Sequence, residues 1–302
     1  MADRRMLLVH AHPDDETIGT GATMAKYVAE GAAVTLVTCT AGEEGEVVVE
    51  DLAHLAVDQQ DALGPHRQLE LAQAMKCLGV TDHQFLGGPG RFRDSGMMGT
   101  PANDKPHSFW RTDLLEAARE LVPVIRSTRP HVLVTYDDFG GYGHPDHINA
   151  HRVAMYGAAL AAVPSFDPAS GPAWEIPKIY WTAFPKSVLL QQARDAIAAG
   201  QANPFGDFDL SDQAAADGAL PWAVDDALIS TVIHGAQWTH HKMEAMRAHR
   251  SQISVEDGGW FALSNDKPHE VWGVEFFRLA KGTASGPFDE HGRETDLFAG
   301  VA

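Results

Sequence analysis

Short runs of aliphatic and β-branched residues alternate, through the first half of the chain, with longer stretches whose apolar positions recur every three or four residues. "MLLVH" (6–10) and "AVTLVTCT" (33–40) read as buried strands, and "TIGTGATMAKYVAEGA" between them as a helix closed by Gly31, a β-α-β unit. The pattern recurs. "HRQLELAQAMKCLG" puts Leu71, Met75 and Leu78 on one helical face, and "DHQFLGG" can be the next strand. "RTDLLEAARELVPVIRSTRP" predicts a third helix, bent at Pro123, and "HVLVTYD" (131–137) a fully buried strand.

Such alternation predicts an α/β fold: a Rossmann-like, mostly parallel sheet with helices on both faces. From about residue 164 the pattern weakens. "VPSFDPASGPAWEIP" reads as a loop, "KIYWTAF" as a strand and "NPFGDFDLSDQAAADGALP" (203–221) as a long polar excursion. "AVDDALISTVIHG" and "VEFFRLA" then predict strands, and "QWTHHKMEAMRAHRSQI" a helix. The expected organisation is a core over residues 1–170 and a smaller α+β C-terminal region, 171–302, that completes the cavity.

Ligands of open α/β sheets bind at the carboxyl ends of the strands. The first strand runs into "HPDD" and the strand at 131–137 into "DFGGYGHPDH", so His12, Asp14, Asp15, His144, Asp146 and His147 fall in equivalent loops. Histidine with carboxylate is the usual donor set of catalytic zinc, which takes three protein ligands and keeps a position for water; Fe²⁺ suits the same set. His12 with Asp15, and His144 with His147, have the three-residue spacing that lets two side chains on a tight turn share one ion. Spacing alone leaves several triads open. A lone histidine at a strand end, such as His10, is as a rule structural.

Composition narrows the partners. The net charge of −18, from 23 basic and 41 acidic residues, disfavours nucleic acid and anionic membranes alike. "VAMYGAALAAV" (153–163) is too short to span a bilayer and reads as a buried helix, and the apolar stretch before His10 is too short for a signal-peptide core. The expectation is a cytoplasmic protein; a homo-oligomer is compatible with the sequence. Cys39 and Cys77 lie in apolar segments outside any CxxC pair, as reduced core thiols do.

"HAHPDDE", "TCTAGEEGEV" and "GGYGHPDH" together resemble the PIG-L/LmbE family of zinc-dependent N-acetylglucosaminyl deacetylases. The likeness runs to about His151, includes "GGPGRFRDSGMMGT", and returns more weakly at "KMEAMRAHRSQI" and "FALSN". It implies one Zn²⁺ per subunit held by His12, Asp15 and His147, with Asp14 as the base beside them. The oxyanion would be met by His144, oriented by Asp146, with Tyr142 close by. It further implies a small N-acetylated amino-sugar substrate, N-acetylglucosaminyl-inositol, contacted by Glu46, Arg67 and Asp94. Either Asp14 or a protonated His144 could return the proton to the leaving amine.

Bland alternatives accompany the substrate residues: acidic loops such as Glu43, Glu44 and Glu46 are commonly just solvated, Met97 and Met98 can be gap fillers, and His249 with Gln252 can be a partly buried polar helix face. A basic residue does not help the start of a helix, which suggests another purpose for Arg67. Three other functions compete. "GTGAT" could be a remnant dinucleotide loop, but "HAHPDDE" puts acids where a pyrophosphate would sit. A non-catalytic metal or sugar module would not need Asp14. A sibling amidase acting on S-conjugates would share the metal motifs, although the resemblance places a lysine in those amidases where this chain has Gly19.

Overall fold

The computed structural model describes residues 3–205, 220 and 222–301. Strand β1 (Arg5–His10) alternates its side chains between two cores: Met6 and Leu8 face one, Leu7 and Val9 the other, and all four are buried. Burial on both faces is why the run is continuously apolar. Helix α1 (Asp15–Ala29) leads to β2 (Ala33–Thr38), and α2 (Leu63–Leu78) to β3 (Asp82–Phe85). Gly79 ends α2 at φ 74°, a left-handed position that glycine takes without a Cβ clash. Helix α3 (Leu114–Thr128) starts where the Asp113 carboxylate accepts from the Glu116 N–H at 3.0 Å. It continues as one element through Pro123, with Leu121, Val122 and Ile125 buried around the proline. Strand β4 (Val132–Thr135) and helix α4 (Pro145–Ala161) complete the first half.

The second half adds β5 (Lys178–Ala183), α5 (Lys186–Ala198), β6 (Thr231–His234) and α6 (Thr239–Ala248). The strands β7 (Ser254–Glu256), β8 (Trp260–Ala262), β9 (His269–Glu270) and β10 (Val274–Lys281) follow. Seven strands form one sheet in the order β3-β2-β1-β4-β5-β10-β6. The first five run parallel, and β10 is antiparallel to both β5 and β6, so the sheet is mixed. Met24 and Tyr27 of α1, Leu71 and Met75 of α2 and Ala245 of α6 cover one face; Leu121 and Ile125 of α3 and Val153 of α4 cover the other. The α/β architecture is therefore as expected.

The differences lie in the second half. α5 and the small sheet β7-β8-β9 have no counterpart among the expected elements; for the sheet the reason is that strands of two or three residues are too short to show a period. The run 223–235 forms a 3₁₀ turn at Asp226–Leu228 before β6. Most of the polar excursion at 203–221 lies outside the described residues. Among the described residues no helix is long and apolar enough to cross a membrane.

The parallel strands β1, β2, β3 and β4 deliver their carboxyl ends, and the loops after them, to one edge of the sheet. The C-terminal segment is fastened by a buried ion pair, Lys178 Nζ to Glu294 Oε1 at 2.5 Å. Tyr180 and Thr231 hydroxyls donate to Glu294 Oε2 at 2.8 and 3.1 Å, tying the segment to β5 and β6. Removing the carboxylate strands an ammonium in the core. Glu294→Ala is expected to lower unfolding stability by about 3–5 kcal/mol in urea denaturation, and a loss below about 1 kcal/mol would contradict this account of the fastening.

Candidate metal and catalytic site

β1 ends at His10, whose two ring nitrogens are both engaged: Nδ1 lies 3.1 Å from Tyr136 Oη and Nε2 3.1 Å from Thr20 Oγ1. Burial lowers its pKa. His10 is thus a core histidine that joins β1, α1 and the end of β4. The chain then turns sharply. Asp14 has φ 117° and ψ −34°, and its carbonyl accepts from the Thr17 and Ile18 N–H groups at 2.9 and 3.1 Å as α1 begins. A side chain rarely adopts that backbone, and the surroundings must hold it there.

Asp15, the first residue of α1, accepts from the His12 N–H at 2.9 Å through Oδ2. The same oxygen lies 3.5 Å from His12 Nδ1, and Oδ1 lies 3.3 Å from His147 Nε2. One carboxylate therefore spans the two imidazoles from separate loops. His144 caps α4, its Nδ1 accepting from the Asp146 N–H at 3.1 Å, and His147 follows in the first turn. The loop feeding this cap needs glycine at 140, where φ is 69° and a Cβ would lie 2.6 Å from the Ile148 nitrogen. The His12 ring is 4.7 Å from that of His144 and 5.2 Å from that of His147.

The donor set fits a divalent cation on two counts. His147 Nε2 and Asp146 Oδ1 are buried with no hydrogen-bond partner, although protein interiors seldom leave such atoms unpaired. Among the described residues, ligand atoms of His12, His144 and His147, and likewise of His12, Asp94 and Asp146, lie within 4.8 Å of one another. The trio His12, Asp15 and His147 is joined by the contacts through Asp15. All of these sets share His12.

Burial, with His12 and His147 nearby, lowers the pKa of His144 to about 2, and burial lowers that of His147 to about 4. Both rings are neutral near pH 7, the form a metal ligand needs. At Asp15 burial works upward, but His147 and then His12 outweigh it and hold the carboxyl well below its usual range. At His12 burial works downward, but Asp94, Asp146 and Asp15 push it well above its usual value, the mark of a cluster that attracts positive charge. Burial raises Asp14 to about 6 against the pull of Arg67.

Residues 7–157 match the model of the family described as PIG-L, GlcNAc-PI de-N-acetylase. The chain belongs to the PIG-L family. It is 58% identical over 300 residues, 99% of this chain and 90% of the other, to the 1D-myo-inositol 2-acetamido-2-deoxy-alpha-D-glucopyranoside deacetylase 1 of Catenulispora acidiphila. Identity to the deacetylase of the same name from Kribbella flavida is 56%, over 100% of this chain and 99% of that one. In fold it is similar to the N,N'-diacetylchitobiose deacetylase of Pyrococcus horikoshii, with a TM-score of 0.58 at 19% identity, covering 93% of this chain and 85% of that one.

In this PIG-L chain the residues expected around the metal converge, but Asp146 and two of the expected substrate residues, Arg67 and Asp94, make contacts that differ from the expected ones. The Asp146 carboxylate is directed to His12 Nε2, at 3.2 Å, and takes the Ser95 N–H at 2.9 Å; only its backbone N–H reaches His144. Arg67 is buried and binds protein: it donates to Gly42 O at 2.8 Å, to Pro13 O, and to Asp14 Oδ2 at 3.0 Å. Asp94 is buried too, accepting from Gly96 and Glu44 N–H groups at 2.8 and 3.1 Å, with Oδ1 3.6 Å from His12 Nε2. Glu46 is exposed. Tyr142 is 49% exposed, with its ring 4.8 Å from that of His147. Met97 and Met98 are also about half exposed, unlike core gap fillers.

Sequence reasoning missed Tyr136. Its ring stacks on His147 at 4.3 Å and 26°, and its hydroxyl accepts from the Ala11 N–H at 2.9 Å. Its place at the end of "HVLVTYD", on the sheet edge that carries the site, was the available signal. A carboxylate on the outer nitrogen of a ligand histidine fixes its tautomer and basicity. Asp146→Asn is accordingly expected to weaken metal binding by about 10- to 100-fold in a competition titration against a chelating dye. Unchanged affinity would show that the His12 contact does not support the metal.

Proposed function

We propose that this PIG-L protein is a metal-dependent hydrolase that removes the N-acetyl group from 1D-myo-inositol 2-acetamido-2-deoxy-α-D-glucopyranoside, releasing acetate and the free amine, a step of mycothiol biosynthesis. Near-complete coverage at 58% and 56% identity to proteins bearing that substrate's name supports the substrate. The observation that carries the chemistry is a carboxylate, Asp14, held on Arg67 beside the His12, Asp15 and His147 cluster.

In this reading His12, Asp15 and His147 hold Zn²⁺. A divalent cation supplies a Lewis acid and lowers the pKa of water toward about 7. Asp14 takes the proton of the attacking water, and because Arg67 engages Oδ2, uptake falls to Oδ1. His144 acts as a neutral donor: Nδ1 accepts the Asp146 N–H and cannot also hold a proton, so the ring hydrogen is on Nε2, available to the developing oxyanion. An imidazolium would break that cap. The proton for the leaving amine therefore returns from Asp14. Tyr142, on its glycine-flanked loop with its ring 4.8 Å from that of His147, is a second donor for the oxyanion beside His144. Glu46, the one exposed member of the expected substrate set, binds sugar hydroxyls, while Arg67, buried and bound to protein, reaches the substrate only through its hold on Asp14.

Asp14→Asn is expected to cut turnover by about 10²- to 10⁴-fold while the metal content of the purified protein stays at the native level. Loss of the metal together with activity would make Asp14 a ligand. Acetate release from the inositol glycoside is expected to stop with a chelator and return on adding Zn²⁺. A mycothiol S-conjugate that proved much the better substrate in the same assay would overturn the assignment.

A further inference from the structure

Glu16 and His249 are both fully buried, and His249 Nε2 lies 2.7 Å from Glu16 Oε1. The other oxygen, Oε2, accepts from the Asp14 N–H at 2.9 Å. Because the carboxylate can only accept, His249 carries its proton on Nε2, and its Nδ1 is buried with no partner. The ring is thus kept in the interior for one bond, 233 residues along the chain from its acceptor. Burying such a pair is poor value for stability, since apolar residues of similar volume do as well.

What the pair reaches is the strained turn of Asp14, at φ 117°. Its carbonyl is held by neighbours in α1: the Thr17 N–H at 2.9 Å, the Thr17 hydroxyl at 2.7 Å and the Ile18 N–H at 3.1 Å. Its amide is held by Glu16, and the orientation of Glu16 is set by His249, at the end of α6. The loop that follows is itself anchored. Ser251 donates its N–H and hydroxyl to Glu70 of α2 at 2.8 and 2.6 Å, and its carbonyl accepts from the Val48 N–H at 2.9 Å. α2 also carries Arg67, which grips the Asp14 carboxylate.

We propose that His249 is a positioning residue for Asp14, acting through Glu16, so that the C-terminal half of the chain sets the backbone of the base. The proposal rests on the reading of Asp14 as the base. The comparison that tests it is His249→Gln, whose amide reaches the Nε2 position, against His249→Asn, whose amide does not. With the N-acetylglucosaminyl-inositol substrate, the Asn variant is expected to lose about 10- to 100-fold in kcat with KM changed less than about 2-fold and metal content unchanged, while the Gln variant stays within about 3-fold of the native enzyme. Equal kcat in the two variants, or a change confined to KM, overturns the proposal. Should the Asn variant fail to fold, Glu16→Ala, which removes the acceptor of the Asp14 N–H, decides, with the same kcat loss expected and native kcat contradicting it. Asp14→Asn assayed alongside separates the two claims: if it turns over normally the base reading falls, and if it is inactive while the His249 variants match each other, only the positioning role falls.

Discussion

The carboxylates of Asp14, Asp15, Asp94 and Asp146 and the imidazoles of His12, His144 and His147 share one loop cluster, and the low dielectric there requires each charge to have a partner. That requirement explains the arrangement around it. Arg67 reaches across from α2 to Asp14, Asp146 faces His12, and backbone N–H groups of Gly96 and Glu44 cap Asp94. A cluster this dense in carboxylates attracts positive charge, and fixed counter-groups offset the cost of burying it.

The sheet makes this concentration possible. Parallel strands end at one edge, so loops more than a hundred residues apart meet without long connections. Arg67 and Glu16 then turn proximity into geometry. One holds the side chain of Asp14 and the other its backbone, so that the carboxylate is fixed at both ends beside the histidine cluster.

Much of the site was legible because its residues sit in contiguous motifs at the ends of continuously apolar strands. His12, Asp14, Asp15, His144, Asp146 and His147 are all of this kind, and burial on both faces marks the strands themselves. Pairings across the chain were not legible. Nothing in "HPDDE" tells that Glu16 meets His249, and nothing in "GHPDH" tells that the Asp146 carboxylate turns to His12 and not His144. Arg67 stands out in the sequence as a basic residue at the start of a helix, but a long flexible side chain can end on substrate or on protein, and its position on α2 does not say which. The antiparallel insertion of β10 between β5 and β6 escaped for a related reason, since periodicity reports burial and not direction.

The proposed chemistry therefore depends on which side chains hold the metal and which one is kept off it. Anomalous diffraction at the zinc edge, from crystals of the zinc-loaded enzyme, measures this directly. The expected result is one ion bound by His12, Asp15 and His147, with the Asp14 carboxylate still on Arg67. An ion bound by Asp14, or by Asp94 and Asp146 in place of Asp15 and His147, would contradict it.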